Sequence, residues 1–205
     1  MKIIYLIWTW FTLLVSINGT AWAQDTQLIA VKRKWYIPNQ ATLQFAGNIG
    51  FVSAGLGYSL RQDKINLDFL YGFTPGFEAQ TSIHTLTGKF TYTAWNKQYT
   101  SGYNWEILQF GSSISYSFGP QFYTALPKHY PDGYYFWTTS FRLVPFMSTA
   151  LGKTTSGKLA ETGIKRVKAY LEVGTHDLAV LSIVTNKALN PWDIVSFAVG
   201  SKFMF

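Results

Sequence analysis

The hydrophobic pattern of this chain repeats every second residue. Val52, Ala54, Leu56, Tyr58 and Leu60 fall on one face of a run, with Ser53, Gly55, Gly57 and Ser59 on the other. Ile65, Leu67, Phe69, Tyr71 and Phe73 oppose Asn66, Asp68 and Gly72, with Leu70 as the exception. The same alternation sets Leu86, Phe90, Tyr92 and Ala94 against Thr85, Thr87, Lys89, Thr91 and Thr93. It returns in 104–118, 134–149, 164–174 and 193–205. Period two with one apolar and one polar side is the mark of a strand between two different environments.

Polar or Pro- and Gly-bearing segments separate these runs. Counting 41–48 apart from 49–60 gives eight strands. The compact turns at 61–64, 96–102 and 152–163 then share one end with the first and last strands. The irregular segments near Pro75, Pro120 and Asn190 share the other. The expected fold is all-β: an antiparallel up-and-down transmembrane β-barrel over 41–205. If 41–60 were one strand, 177–184 would have to supply the eighth. The segment 175–191 reads equally as a strand extension, a separate strand or a short helix.

The last run, 193–205, places Val195, Phe197, Val199, Phe203 and Phe205 on one face and Ser196, Ala198, Gly200 and Lys202 on the other. Gly200, Phe203 and Phe205 resemble the C-terminal insertion signal of small bacterial outer-membrane β-barrel proteins, the OmpA/OmpX size class. The position before the Gly is usually polar in that family and is Val199 here. The resemblance implies insertion by the barrel-assembly machinery and says nothing of an activity. At the other end, Met1-Lys2 precedes an apolar stretch over 3–15, and Ala21-Trp22-Ala23 is an A-x-A site. That pattern predicts a signal peptide over 1–23, followed by a polar periplasmic lead-in over 24–40.

Composition narrows the class. Aromatic residues make up 18% of the chain and charged residues 13%. No run after the leader is long and apolar enough for a membrane-spanning helix, so a lipid-facing wall has to be built from strands. The expected location is the cell outer membrane of a Gram-negative-type envelope. The expected contacts are outer-membrane lipid and lipopolysaccharide, and an envelope protein partner of unknown identity. There is no Cys, which removes disulfides and thiol chemistry. The formal net charge is +7, but no nucleic-acid motif accompanies the basic residues. Lumen carboxylates and anionic lipid phosphates are the expected partners of these cations.

By parity Asp68, Lys89, Arg142, Arg166, Lys168, Glu172 and Lys202 point into the lumen. An eight-stranded barrel is just wide enough to be filled by side chains, so these charges are expected to pair as a polar plug. Three His residues, His84, His129 and His176, lack metal-motif spacing, and neither a metal nor a cofactor is expected. Gly152-Lys153-Thr154 lacks the earlier Gly of a P-loop, and Gly55-x-Gly57 lies in a strand pattern rather than before a helix. Tyr123, Tyr130, Tyr134, Tyr135, Phe136 and Trp137 read as an interfacial girdle or a binding patch.

One constellation could carry catalysis. Ser82 and His84 lie two apart on the outward side near a loop, with Glu78 close in sequence. Nucleophile, base and orienter are what an acyl hydrolase needs. The pair resembles that of lipid A deacylase barrels, with the order of Ser and His reversed and the residues around the family's pair missing. The expected role is therefore structural or binding, through the loops. An outer-leaflet lipid acyl hydrolase and a minor small-solute channel are the alternatives.

Overall fold

The computed structural model describes residues 34, 36–79, 81–119, 122, 140–177, 192 and 194–205. Eight strands form a closed antiparallel barrel in chain order. They are β1 (Gln40–Ala46), β2 (Val52–Leu60), β3 (Ile65–Thr74), β4 (Ile83–Gln98), β5 (Tyr103–Phe118), β6 (Phe141–Thr154), β7 (Arg166–Gly174) and β8 (Ser196–Met204). Seven residue pairs, from Gln40 opposite Met204 to Ala46 opposite Ala198, join the first strand to the last. Every strand edge is thereby paired. Single helical turns at Gly76–Ala79 and Lys158–Glu161 decorate two connections. The predicted leader, most of the lead-in, His129, the six aromatics of 123–137 and most of 175–191 lie outside the described residues.

The open question over 41–60 resolves to two strands. Ala46 and Gly47 adopt φ of +62° and +82°, and the chain reverses before Val52. Gly47 suits this place because a left-handed φ is unstrained in glycine, and an added Cβ there would lie 2.8 Å from the Ala198 Cβ. Two strand ends move outward from the predicted ones: β4 runs to Gln98 and β6 to Thr154, because Gln98 still pairs with β5 and Thr154 with β7. The starts of β2, β4, β7 and β8 move inward, to Val52, Ile83, Arg166 and Ser196. The lead-in ends earlier than predicted. Gln40 belongs to β1, and the Asn39 side chain donates to Ser59 O and accepts from Ser59 N at 2.9 and 2.6 Å.

Pro145 lies inside β6. Its carbonyl accepts from the Thr175 N–H at 3.2 Å, so its N–H-less side faces β7. That strand ends at Gly174, so few ladder bonds are forgone there.

Side-chain parity follows the pleat. Leu43, Leu56, Phe69, Leu86, Ile114, Met147, Leu171 and Phe197, one from each strand, are 40–64% exposed on the outer wall. Most buried side chains are polar; Ile49, Leu70, Val144, Phe146, Tyr170 and Met204 are the large exceptions. The molecule is thus polar inside and apolar outside, the reverse of an ordinary water-soluble domain.

Candidate functional site

The lumen is built by the inward residues of all eight strands. At its centre Asp68 of β3 accepts three hydrogen bonds: from Gln40 Nε2 at 2.8 Å, Thr42 Oγ1 at 2.7 Å and Lys202 Nζ at 2.6 Å. Towards the end that carries the β1–β2 and β3–β4 loops, Lys89 ion-pairs with Glu172 and donates to Gln44 Oε1 at 2.7 Å. The Lys89 ammonium also lies 4.7 Å from the Phe146 ring centroid and 5.0 Å from that of Tyr170. Both rings add cation–π attraction inside a space screened from water. Tyr170 OH donates to the same Gln44 oxygen at 2.9 Å.

Gly200 makes room for this ring. A Cβ on it would come within 2.4 Å of Tyr170 Cζ and 2.5 Å of the Leu43 carbonyl. The residue read as part of an insertion signal is therefore also a packing requirement of the lumen.

At the end where the chain's first and last strands begin and finish, Lys168 reaches Glu106 Oε1 at 2.5 Å and Asp63 Oδ2 at 3.5 Å, and Arg166 ion-pairs with Asp63. Gln109 donates to Glu106 Oε2 at 2.7 Å, and Ser148 donates to Gln109 Oε1 at 2.9 Å. Four carboxylates (Asp63, Asp68, Glu106, Glu172) meet four cations (Lys89, Arg166, Lys168, Lys202) in these contacts, so the network is neutral as a set. Gln40 Oε1, Asn66 Oδ1, Thr91 Oγ1 and Asn104 Oδ1 receive no hydrogen bond from the protein. They leave polar surface in the lumen that only small hydrogen-bonding molecules can satisfy.

Parity reasoning named six of these charges and missed two. Glu106 shares the parity of outward Leu108 and Phe110, yet it is buried. A bulge between Glu106 and Gln109 turns the strand over. Thr149 satisfies this irregularity, donating to Glu106 O and accepting from Trp105 Nε1, both at 3.1 Å. The detectable signal was the switch of polar positions from Asn104 and Glu106 to Gln109 and Gly111. Asp63 sits in the β2–β3 turn, where Arg61, Gln62 and Asp63 have φ of +50°, +56° and +67°. Three successive non-glycine residues in this region cost about 1–2 kcal/mol each. The geometry carries the Asp63 carboxylate beneath the barrel. Burial alone would raise its pKa, but Lys168, the Ser59 hydroxyl and Arg166 outweigh burial and hold it below the ordinary 3.8.

Arg142 is not in this core. It lies near the start of β6 and lines a cleft of about 400 Å³ at the mouth, together with Asn48, Glu78, Thr85, Ser117 and His176. Ile49 of the β1–β2 loop, 2% exposed, also lines this cleft. Burial, aided by Arg142 and opposed by Asp177, lowers the His176 pKa below the ordinary 6.5. The imidazole is therefore mostly neutral at pH 7.

The candidate catalytic residues are divided between two surfaces. Glu78 lines the mouth cleft. His84 is on the outer wall of β4, directly opposite Phe73 in the ladder, and its Nδ1 lies 2.5 Å from Tyr71 OH. Its ring is 5.2 Å from the Phe73 ring. Ser82 is exposed just before β4. The structure joins His84 to Tyr71, and it joins neither Ser82 nor Glu78 to His84. Among the described residues no group of three His, Cys, Asp or Glu could hold a metal ion.

The sequence matches no protein-family model, no curated protein and no solved structure.

Proposed function

We propose that the protein is an integral outer-membrane β-barrel whose lumen is filled by its own side chains, and that it serves a structural or binding role through its loop-bearing mouth. One observation carries this reading: every strand exposes a large apolar side chain outward while charged residues pair inside. A wall of this kind is unstable in water and favoured in lipid. The shorter connections between β2 and β3 and between β4 and β5 would face the periplasm, together with both ends of the barrel sequence, and the mouth cleft would face outward. Gly200, Phe203 and Phe205 suit delivery by the barrel-assembly machinery, and 1–23 suits a leader removed on export.

A filled lumen argues against conduction. Ions crossing it would have to displace Lys89 from Glu172 and Lys202 from Asp68, pairs shielded from solvent. The mouth cleft, with Glu78 and Arg142 of opposite charge among hydroxyl and amide groups, is a surface suited to a small polar ligand or to a partner's loop.

The test is reconstitution. The purified mature chain should insert into lipid vesicles, show the heat-dependent gel migration of a closed barrel, and leave planar-bilayer current at background. Failure to enter vesicles under any lipid condition would overturn the membrane reading. Steady single-channel conductance would overturn the sealed lumen.

A further inference from the structure

Cations and tyrosines on the outer wall gather at one end of the barrel, the end opposite the mouth. Three lysines lie over tyrosine rings there: Lys34 over Tyr36 at 5.7 Å, Lys97 over Tyr99 at 5.4 Å and Lys153 over Tyr103 at 5.1 Å. Lys97 faces Trp105 across the β4–β5 ladder, and Lys153 faces Tyr103 across β5–β6. These two stacks therefore share one continuous patch. A quarter-turn away, Arg61 and Lys64 line a groove of about 480 Å³ with Tyr92. Lys158 and Lys165 are exposed on the β6–β7 connection. Among the described residues at this end the acids are Asp63 and Glu106, already engaged with Arg166 and Lys168, and Glu161.

Two features distinguish this end from an ordinary solvated rim. Three of the cations, Lys34, Lys97 and Lys153, lie over tyrosine rings, immediately beyond the apolar band to which Trp95, Phe110 and Leu151 belong. A side chain placed there has its stem along apolar surface and its head at the level of polar headgroups. Among the described residues the cations also lack a matching set of carboxylates. A surface of this kind attracts phosphodiesters, and the ring arrangement fits many small headgroups around a circumference better than one globular partner.

We propose that this ring of basic and tyrosine side chains binds the headgroups of anionic phospholipids in the leaflet at the end opposite the mouth, and so fixes the depth and orientation of the barrel. The proposal rests on the membrane reading above. If that reading gives the orientation correctly, the leaflet is the periplasmic one. Lipid phosphate is preferred to a soluble anionic polymer because Tyr92 and Tyr103 are exposed residues of the barrel strands β4 and β5 rather than of the connections at its end.

The reporters for a test are built in. Trp105 lies in the patch, opposite Lys97, and Trp95 at its edge in the apolar band, so brominated lipids that quench their emission measure which headgroup is held beside it. The full mature barrel, carrying Trp35→Phe, Trp137→Phe and Trp192→Phe so that only Trp95 and Trp105 emit, is placed in vesicles containing brominated phosphatidylglycerol or brominated phosphatidylcholine. The expected result is preferential quenching by phosphatidylglycerol that weakens with salt. Each neutralised cation among Lys97→Gln, Lys153→Gln, Arg61→Gln and Lys64→Gln should reduce that preference, by up to roughly fivefold at low ionic strength. Equal quenching by both lipids in the wild type would overturn the proposal and leave the membrane reading intact. So would a preference unchanged in the fourfold variant. A preference in the wild type for a soluble anionic glycan added outside the vesicles, displacing phosphatidylglycerol, would also overturn it. No quenching by either lipid would instead sink the membrane reading itself.

Discussion

Glu106 and Lys168 meet at 2.5 Å, with the lysine stem passing over Gly152 of the intervening strand. Both groups are buried, so each is the other's main compensation for lost water. Glu106→Gln should lower the unfolding free energy by about 3 kcal/mol, the scale of a buried charge left without its partner. Glu106→Gln combined with Lys168→Met should recover most of that loss. Chemical denaturation followed by the emission of neighbouring Trp105 reads both. A single-variant loss within about 0.5 kcal/mol, the scale of ordinary surface changes, would show that the pair is wet rather than buried.

Asp63 gives a pH dependence with a definite sign. Its carboxyl is held below the ordinary value of 3.8, so the folded state favours the ionised form. The stabilisation is therefore complete above the unfolded value and is lost as pH falls through the lower folded value. Wild type should exceed Asp63→Asn in denaturation midpoint at neutral pH, and the gap should close below about pH 4. A gap that widened in acid would contradict the assignment of Asp63 to Arg166 and Lys168.

Gly200 tests the packing of the lumen. Gly200→Val places atoms where the Tyr170 ring and the Leu43 carbonyl already lie. The refolding yield should fall sharply. Tyr170→Ala in the same chain should restore it only in part, because the Leu43 oxygen is backbone and cannot be trimmed away. Full rescue would mean that the ring alone sets the requirement.

The hydrolase alternative is tested in cells. With His84 bonded to Tyr71, and Glu78 lining the mouth cleft, expression of the protein is expected to leave the mass of lipid A unchanged. Loss of an acyl chain with the wild type, absent in Ser82→Ala, would revive the alternative. Ser82 is exposed and outside the strands, so its truncation should leave the barrel folded.

The barrel was legible because burial in a closed sheet imposes strict alternation, and alternation survives in the residues themselves. Val52–Leu60 and Ile65–Thr74 read correctly from parity alone. Parity also found Asp68, Lys89, Arg166, Lys168, Glu172 and Lys202. It could not find Glu106, because one bulge inverts every face beyond it. Asp63 escaped for a different reason: a turn has no parity, and only its left-handed backbone directs the side chain inward. Arg142 shows the remaining gap, since an inward direction says nothing about height along the barrel. The pairing of His84 with Tyr71 depends on a diagonal contact between strands, which needs the register and not the sequence alone.

The closure of β8 on β1 has a consequence for where this chain could be cut. Phe205 N donates to Asn39 O at 3.0 Å, so the two sides of the junction are already neighbours. The lattice of ladder bonds is a ring with a movable seam, and it keeps no record of which strand was made first. Linking residue 205 to residue 39 and opening the chain within 157–163 would preserve all eight strand pairings while making β6 the last strand. Gly200 and Phe203 would then sit mid-chain, with their lumen and wall contacts intact. What the fold requires of that strand and what delivery to a membrane requires of it would become two separate, independently measurable properties.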